Sequence, residues 1–125
     1  MNSQNPKKST DATTKAVSGA AAEELAARHL VQHGLKVIEC NYRCRGGEID
    51  LVCQEGTTLV FVEVRLRTSQ RFGGAAASIT PTKQKRLIHA AGHYIAGKPM
   101  PNCRFDAVLL DGQNIEWIRN AFDAS

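Results

Sequence analysis

The segment GGEIDLVCQEGTTLVFVEVRLR, residues 46 to 67, constrains the fold of this chain more than any other stretch. It holds two apolar runs separated by Gly56-Thr57, and a two-residue turn with glycine first suits a type II′ hairpin. Side chains alternate along a strand, so Val60, Val62, Val64 and Leu66 share one face, and Leu59, Phe61, Glu63, Arg65 and Arg67 share the other. The first set is a continuous apolar stripe. The second begins apolar and ends charged, as expected where a sheet meets a cleft. In the preceding run Glu48, Asp50 and Val52 share a face. The turn sets the register, with Glu55 opposite Thr58, Val52 opposite Phe61 and Asp50 opposite Glu63. Directly opposed side chains have Cβ atoms roughly 4.5–5.5 Å apart. Two carboxylates that close repel unless one is protonated or a cation lies between them. A divalent cation with oxygen ligands fits, and Mg2+ is the usual choice in phosphate chemistry, with Mn2+ as its substitute.

The rest of the chain alternates helix and strand signals. A helix is predicted from about Val17 to His33, rich in Ala and Leu and closed by Gly34. LKVIECNY reads as a short strand and RCRGG as a basic, glycine-containing loop. Thr80 and Pro81 supply an N-cap and a first-turn proline for a second helix that runs to about Ala96 and stops at Gly97. RFDAVLL and IEWI are strands around a DGQN turn. The order α-β-β-β-α-β-β predicts an α/β class, one mixed central sheet flanked by helices. Residues 1–15 are polar and lack aromatics, the signature of a disordered tail, which leaves 16–125 as a single domain. No run approaches the roughly 20 apolar residues of a membrane span, and the N-terminus lacks an apolar leader. The expectation is therefore a cytoplasmic protein with Cys40, Cys44, Cys53 and Cys103 as free thiols.

A third acid is sought on the first helix. Glu24 has Arg28 four positions on and suits a surface pair. Glu23 has Gly19, Ala20, Ala26 and Ala27 as its helical neighbours, a small-residue face suited to close packing, and is the better inward-pointing acid. The net charge of +4 admits an anionic partner without requiring one. Arg43, Arg45, Arg65, Arg67 and Arg71 surround the acids in sequence, and Lys83, Lys85 and Arg86 open the second helix. Such residues contact phosphate but read no bases. His29 with His33, and His89 with His93, read as surface or packing residues, Arg104 with Asp106 as a structural ion pair, and Trp117 as a core or edge aromatic.

Asp50, twelve intervening residues and then Glu63-Val64-Arg65 resemble the D…(D/E)xK signature of restriction-endonuclease-like nucleases. GAAAEELAARHL, GGEIDLV, LVFVEVRLR, RFGGAAASITPTKQKRL, RFDAVLL and NAF together resemble the YraN family of small bacterial proteins, over almost everything after the N-terminal tail. The resemblance implies a restriction-endonuclease-like fold similar to archaeal Holliday-junction resolvases. It implies a Mg2+-dependent, structure-selective DNA endonuclease of repair or recombination, acting on branched or end structures, with homodimers known among related junction-cutting enzymes. Asp50 and Glu63 match the metal-binding acids, Glu23 matches the helix acid, and the backbone carbonyl of Val64 completes the ligand set. Arg65 occupies the lysine position, and arginine hardly ever loses its proton, which makes it a poor base. Either Arg65 clamps phosphate, or Lys83 or Lys85 points back into the site with Gln84 orienting water. The alternative is a module of the same fold that binds nucleic acid or a protein without hydrolysis.

Overall fold

A computed structural model of the chain describes residues 19–66, 79–99, 102–111 and 114–123. The predicted tail, Arg67 and Arg71 lie outside the described residues. The elements are α1 (Gly19–Gln32), β1 (Lys36–Cys44), β2 (Gly47–Glu55), β3 (Thr58–Leu66), α2 (Pro81–Ile95), β4 (Asn102–Asp111) and β5 (Asn114–Phe122), in the predicted order. The strands form one sheet in the order β1-β2-β3-β4-β5. β3 and β4 run parallel and every other neighbouring pair antiparallel, so the sheet is mixed. This is an α/β fold compatible with a restriction-endonuclease-like domain. Among the described residues no helix is long and apolar enough to cross a membrane.

Alternation along β3 sends its side chains to two helices. Val60 and Val62 join Leu51, Cys53, Val108 and Leu110 beneath Ala22, Ala26 and Leu30 of α1. Phe61 joins Ile49, Val52 and Phe105 beneath Leu87, Ala90 and Ala91 of α2. Each large apolar side chain buried this way contributes roughly 1.5–3 kcal/mol. The hairpin turn is type II′ as predicted: Gly56 has φ +61°, and Thr57 is absent from the described residues with positive φ. Thr80 caps α2, its Oγ1 accepting from the Lys83 amide at 3.2 Å, with Pro81 in the first turn.

Three local expectations need correcting. The predicted loop at RCRGG shrinks to a turn at Arg45 and Gly46, because Arg43 and Cys44 continue β1 and pair with Glu48 and Gly47. The last strand runs past IEWI to Phe122. Strict alternation in β2 also fails, since Ile49 and Val52 both pack under α2 while Leu51 packs under α1. The chain rotates about Asp50, between the two regular stretches.

Gly47 sits where β2 meets α2. A Cβ there would lie 2.3 Å from the backbone oxygen of Arg86 and 3.2 Å from the Ala90 Cβ. Only glycine lets strand and helix approach this closely. At the far side of the sheet Asp106 is fully buried. It accepts from Arg104 Nε (2.9 Å) and Nη2 (3.0 Å), Trp117 Nε1 (2.9 Å) and the Asn120 amide (2.9 Å). Asn120 has φ +52°, and the β4–β5 register shifts between Phe105 and Ala107. The carboxylate therefore takes up a backbone donor at an irregularity in the ladder. Arg104 continues to Glu55 (2.7 Å), which also receives Arg119 (3.0 Å). The predicted Arg104–Asp106 pair is thus the centre of a larger network, and Trp117 is a donor to it.

Gly47→Ala should cost about 1–3 kcal/mol of stability, because the backbones of β2 and α2 must separate. Asp106→Ala should cost about 3–5 kcal/mol, because Trp117 Nε1 and the Asn120 amide lose their acceptor and Arg104 keeps Glu55 alone. Urea unfolding of both variants beside Gly92→Ala, where an added Cβ meets nothing within 4 Å, checks both values.

Candidate active site

Where β2 and β3 part, the acids gather. The hairpin register is the predicted one, with Glu55 opposite Thr58 and Val52 opposite Phe61, and the paired residues run as far as Leu51 and Val62. Beyond that point Asp50 Oδ2 accepts the Val64 amide at 2.8 Å, so a side chain serves a backbone donor of β3. A cleft of about 330 Å³ opens here, lined by Glu23, Glu48, Asp50, Glu63, Val64, Arg65 and Lys83 among others. Elements distant in sequence thus supply three of the predicted acids, the predicted backbone ligand and two cations.

Burial dominates the electrostatics. It pushes the Asp50 carboxyl up to about 7; the Val64 amide opposes the shift, and Glu63, Glu23 and Glu48 add to it. Burial also raises Glu63, against the pull of Arg65 and Lys83 and of a hydrogen bond with Asp50. Arg65 Nη1 lies 3.7 Å from Glu63 Oε2, yet its Nε is a buried donor without an acceptor. Buried donors are normally satisfied. Burial thus favours the protonated form of Asp50, and the neighbouring Glu63 reinforces the shift.

The donor set fits a hard divalent cation in kind, being all oxygen. Among the described residues, however, no group of three or more His, Cys, Asp or Glu side chains is arranged to hold a metal ion. The preformed part is the Asp50–Glu63 pair. Glu23 lines the same cleft, with Oε1 accepting from Asn41 Nδ2 at 2.8 Å.

The remaining predicted residues divide. Lys83 borders the cleft; Lys85 and Arg86 are exposed on α2 and absent from its lining. Gln84 Nε2 donates to the Ile79 carbonyl at 3.0 Å, at the entrance of α2. Arg43 is exposed at the rim, 3.7 Å from Glu48 Oε1. Arg45 is exposed, and its carbonyl accepts from His89 Nε2 at 2.9 Å. Glu48, noted in sequence beside Asp50, was given no place in the site, and Asn41 escaped sequence reasoning altogether. Asn41 gives little signal beyond the tolerance of asparagine for its φ of +55°.

A hairpin that splits around its acids on a helix-flanked mixed sheet defines a class of α/β protein with an acidic cleft where two interior strands part. The family described as "Uncharacterised protein family UPF0102" matches residues 22–110. A UPF0102 protein of Dechloromonas aromatica is 56% identical over 94% of this chain and 96% of its own length. One from Nitrosomonas europaea is 61% identical over 86% and 94%, and one from Ralstonia nicotianae 58% over 86% and 87%. The chain belongs to the UPF0102 family, the YraN family that its motifs resemble.

The raised pKa of Asp50 has a signed consequence. An acid whose pKa rises on folding binds its proton more tightly in the folded state. Its burial costs nothing while both states are protonated, below the ordinary value of 3.8, and costs progressively more as pH climbs to about 7. Asp50→Asn should therefore gain stability relative to the parent between those pH values, reaching a few kcal/mol. Unfolding free energies of both proteins across that range check this, and a pH-independent difference would contradict it.

Proposed function

We propose that this protein is a divalent-metal-dependent, structure-selective DNA endonuclease. The observation that carries the reading is the convergence of Asp50, Glu63 and Glu23 with Arg65 and Lys83 in one cleft. Carboxylates are costly to bury without compensation, and such clusters with shifted pKa values mark functional sites. Asp50 and Glu63, with the Val64 carbonyl, would hold Mg2+ or Mn2+, which when bound polarises a phosphodiester and lowers the pKa of water beside it.

The chain's own groups do the rest. Arg65 has a buried Nε without an acceptor, and its planar fork suits a non-bridging phosphate oxygen. Lys83 supplies the amine that Arg65 replaces in the nuclease signature, and it stands in the cleft where Lys85 does not. Gln84 serves by tying the start of α2 to Ile79, which positions Lys83. Glu23 orients the attacking water from the opposite helix. Arg43, Arg45, Lys85 and Arg86 contribute screened attraction for the DNA backbone, with recognition by shape and not by base sequence. Branched or end structures are the expected substrates.

Cleavage of labelled single-stranded, duplex, gapped, flap and four-way-junction DNA in Mg2+, Mn2+ or EDTA tests the reading. Metal-dependent cutting of one shape is expected, abolished in Glu63→Ala and reduced roughly 10²-fold or more in Lys83→Ala. Cutting that survives Glu63→Ala would overturn the site. Tight binding without cutting would make the protein a non-catalytic binding module.

A further inference from the structure

The C-terminal end of α1 carries a second constellation. The helix closes with the Leu35 amide donating to the Leu30 carbonyl (3.0 Å) and the Gly34 amide to the Val31 carbonyl (3.1 Å), a Schellman cap that fixes the backbone around His33. The His33 ring is fixed as well. Its Nδ1 lies 2.7 Å from the His29 carbonyl oxygen. A carbonyl only accepts, so Nδ1 carries the hydrogen and Nε2 presents a bare lone pair. His29 stands one turn back, its ring centroid 4.4 Å from that of His33. The two imidazoles share one helix face, with His33 exposed to solvent.

We propose that His29 and His33 form a two-imidazole chelate for a borderline divalent transition metal such as Zn2+, Ni2+ or Cu2+, separate from the acidic cleft. A ligating histidine typically donates its other ring N–H to a carbonyl or carboxylate, and His33 has that arrangement already. Imidazole nitrogens select these metals over Mg2+. The helix C-terminus carries partial negative charge that favours a cation. Arg119, 4.0 Å from the Trp117 ring centroid, is paired with Glu55. Water completes the coordination shell, consistent with the absence of any larger metal-holding group among the described residues. At 1.5 Å per residue the pair lies roughly 9–15 Å along the helix from Glu23. The second histidine pair is built differently. On α2, His89 Nε2 meets the Arg45 carbonyl and His93 Nδ1 meets the Tyr42 hydroxyl, so its rings serve separate partners.

Trp117, the chain's single tryptophan, reports on the site, its ring centroid 6.5 Å from that of His29 and 6.0 Å from that of His33. Untagged full-length protein is titrated with Ni2+ while Trp117 emission is followed, and EDTA is then added. Saturable, EDTA-reversible quenching is expected. His29→Ala and His33→Gln should weaken it at least about tenfold, the glutamine still offering a donor to the His29 carbonyl. His89→Ala should leave it unchanged. Absence of saturable quenching, or equal midpoints in the parent and both α1 variants, would overturn the site.

Discussion

The cleft depends on one hydrogen bond, from the Val64 amide to Asp50 Oδ2. Where β2 leaves β3, a backbone donor would lose its strand partner, and a buried donor without an acceptor costs about 1–3 kcal/mol. The carboxyl supplies the acceptor. In doing so it anchors Asp50 to the strand that carries Glu63 and Arg65. The spacing of the acids is then set by backbone geometry, which varies less than side-chain rotamers. The bond favours the ionised form of Asp50, but burial outweighs it. The result is a carboxyl that exchanges its proton near neutral pH.

Asp106 shows the other way to bury a carboxylate. Arg104, Trp117 and the Asn120 amide saturate it with donors, and the Arg104 guanidinium links onward to Glu55. Nothing is left over for a ligand. At the cleft, by contrast, Asp50 takes the Val64 amide, and Arg65 keeps a buried donor with no acceptor. Incomplete satisfaction, not burial, separates the candidate site from the structural network, because only unsatisfied groups gain when a ligand arrives.

Much of this was legible in the sequence. The Gly56-Thr57 turn set the register as far as Leu51 and Val62, and Asp50 and Glu63 meet in the cleft just beyond it. Thr80-Pro81 and Gly34 marked helix ends by their capping chemistry. What stayed hidden depends on long-range geometry. Asn41 reaches Glu23 only because a left-handed residue bends β1 at that level. The rotation at Asp50 that places Ile49 and Val52 under the same helix breaks the period of two, which no pattern argument anticipates. The role of Gly47 is likewise tertiary, since the atom it must avoid belongs to Arg86. Lys83 and Lys85 were indistinguishable in sequence, and only the helix phase separates them.

That phase bears on the chemistry. Arginine at position 65 leaves the cleft with a permanent positive charge where the signature lysine could exchange a proton. Lys83 adds an amine from another element, and its field, with that of Arg65, pulls Glu63 toward ionisation. Arg65 and Lys83 thus face four acids across the cleft, Glu23, Glu48, Asp50 and Glu63. A phosphodiester alone would meet the acids' repulsion, and a divalent cation alone would meet that of Arg65 and Lys83. Arriving together, each offsets the charge that opposes the other. On the proposed function, this coupling would make cation and phosphate cooperative ligands of one site.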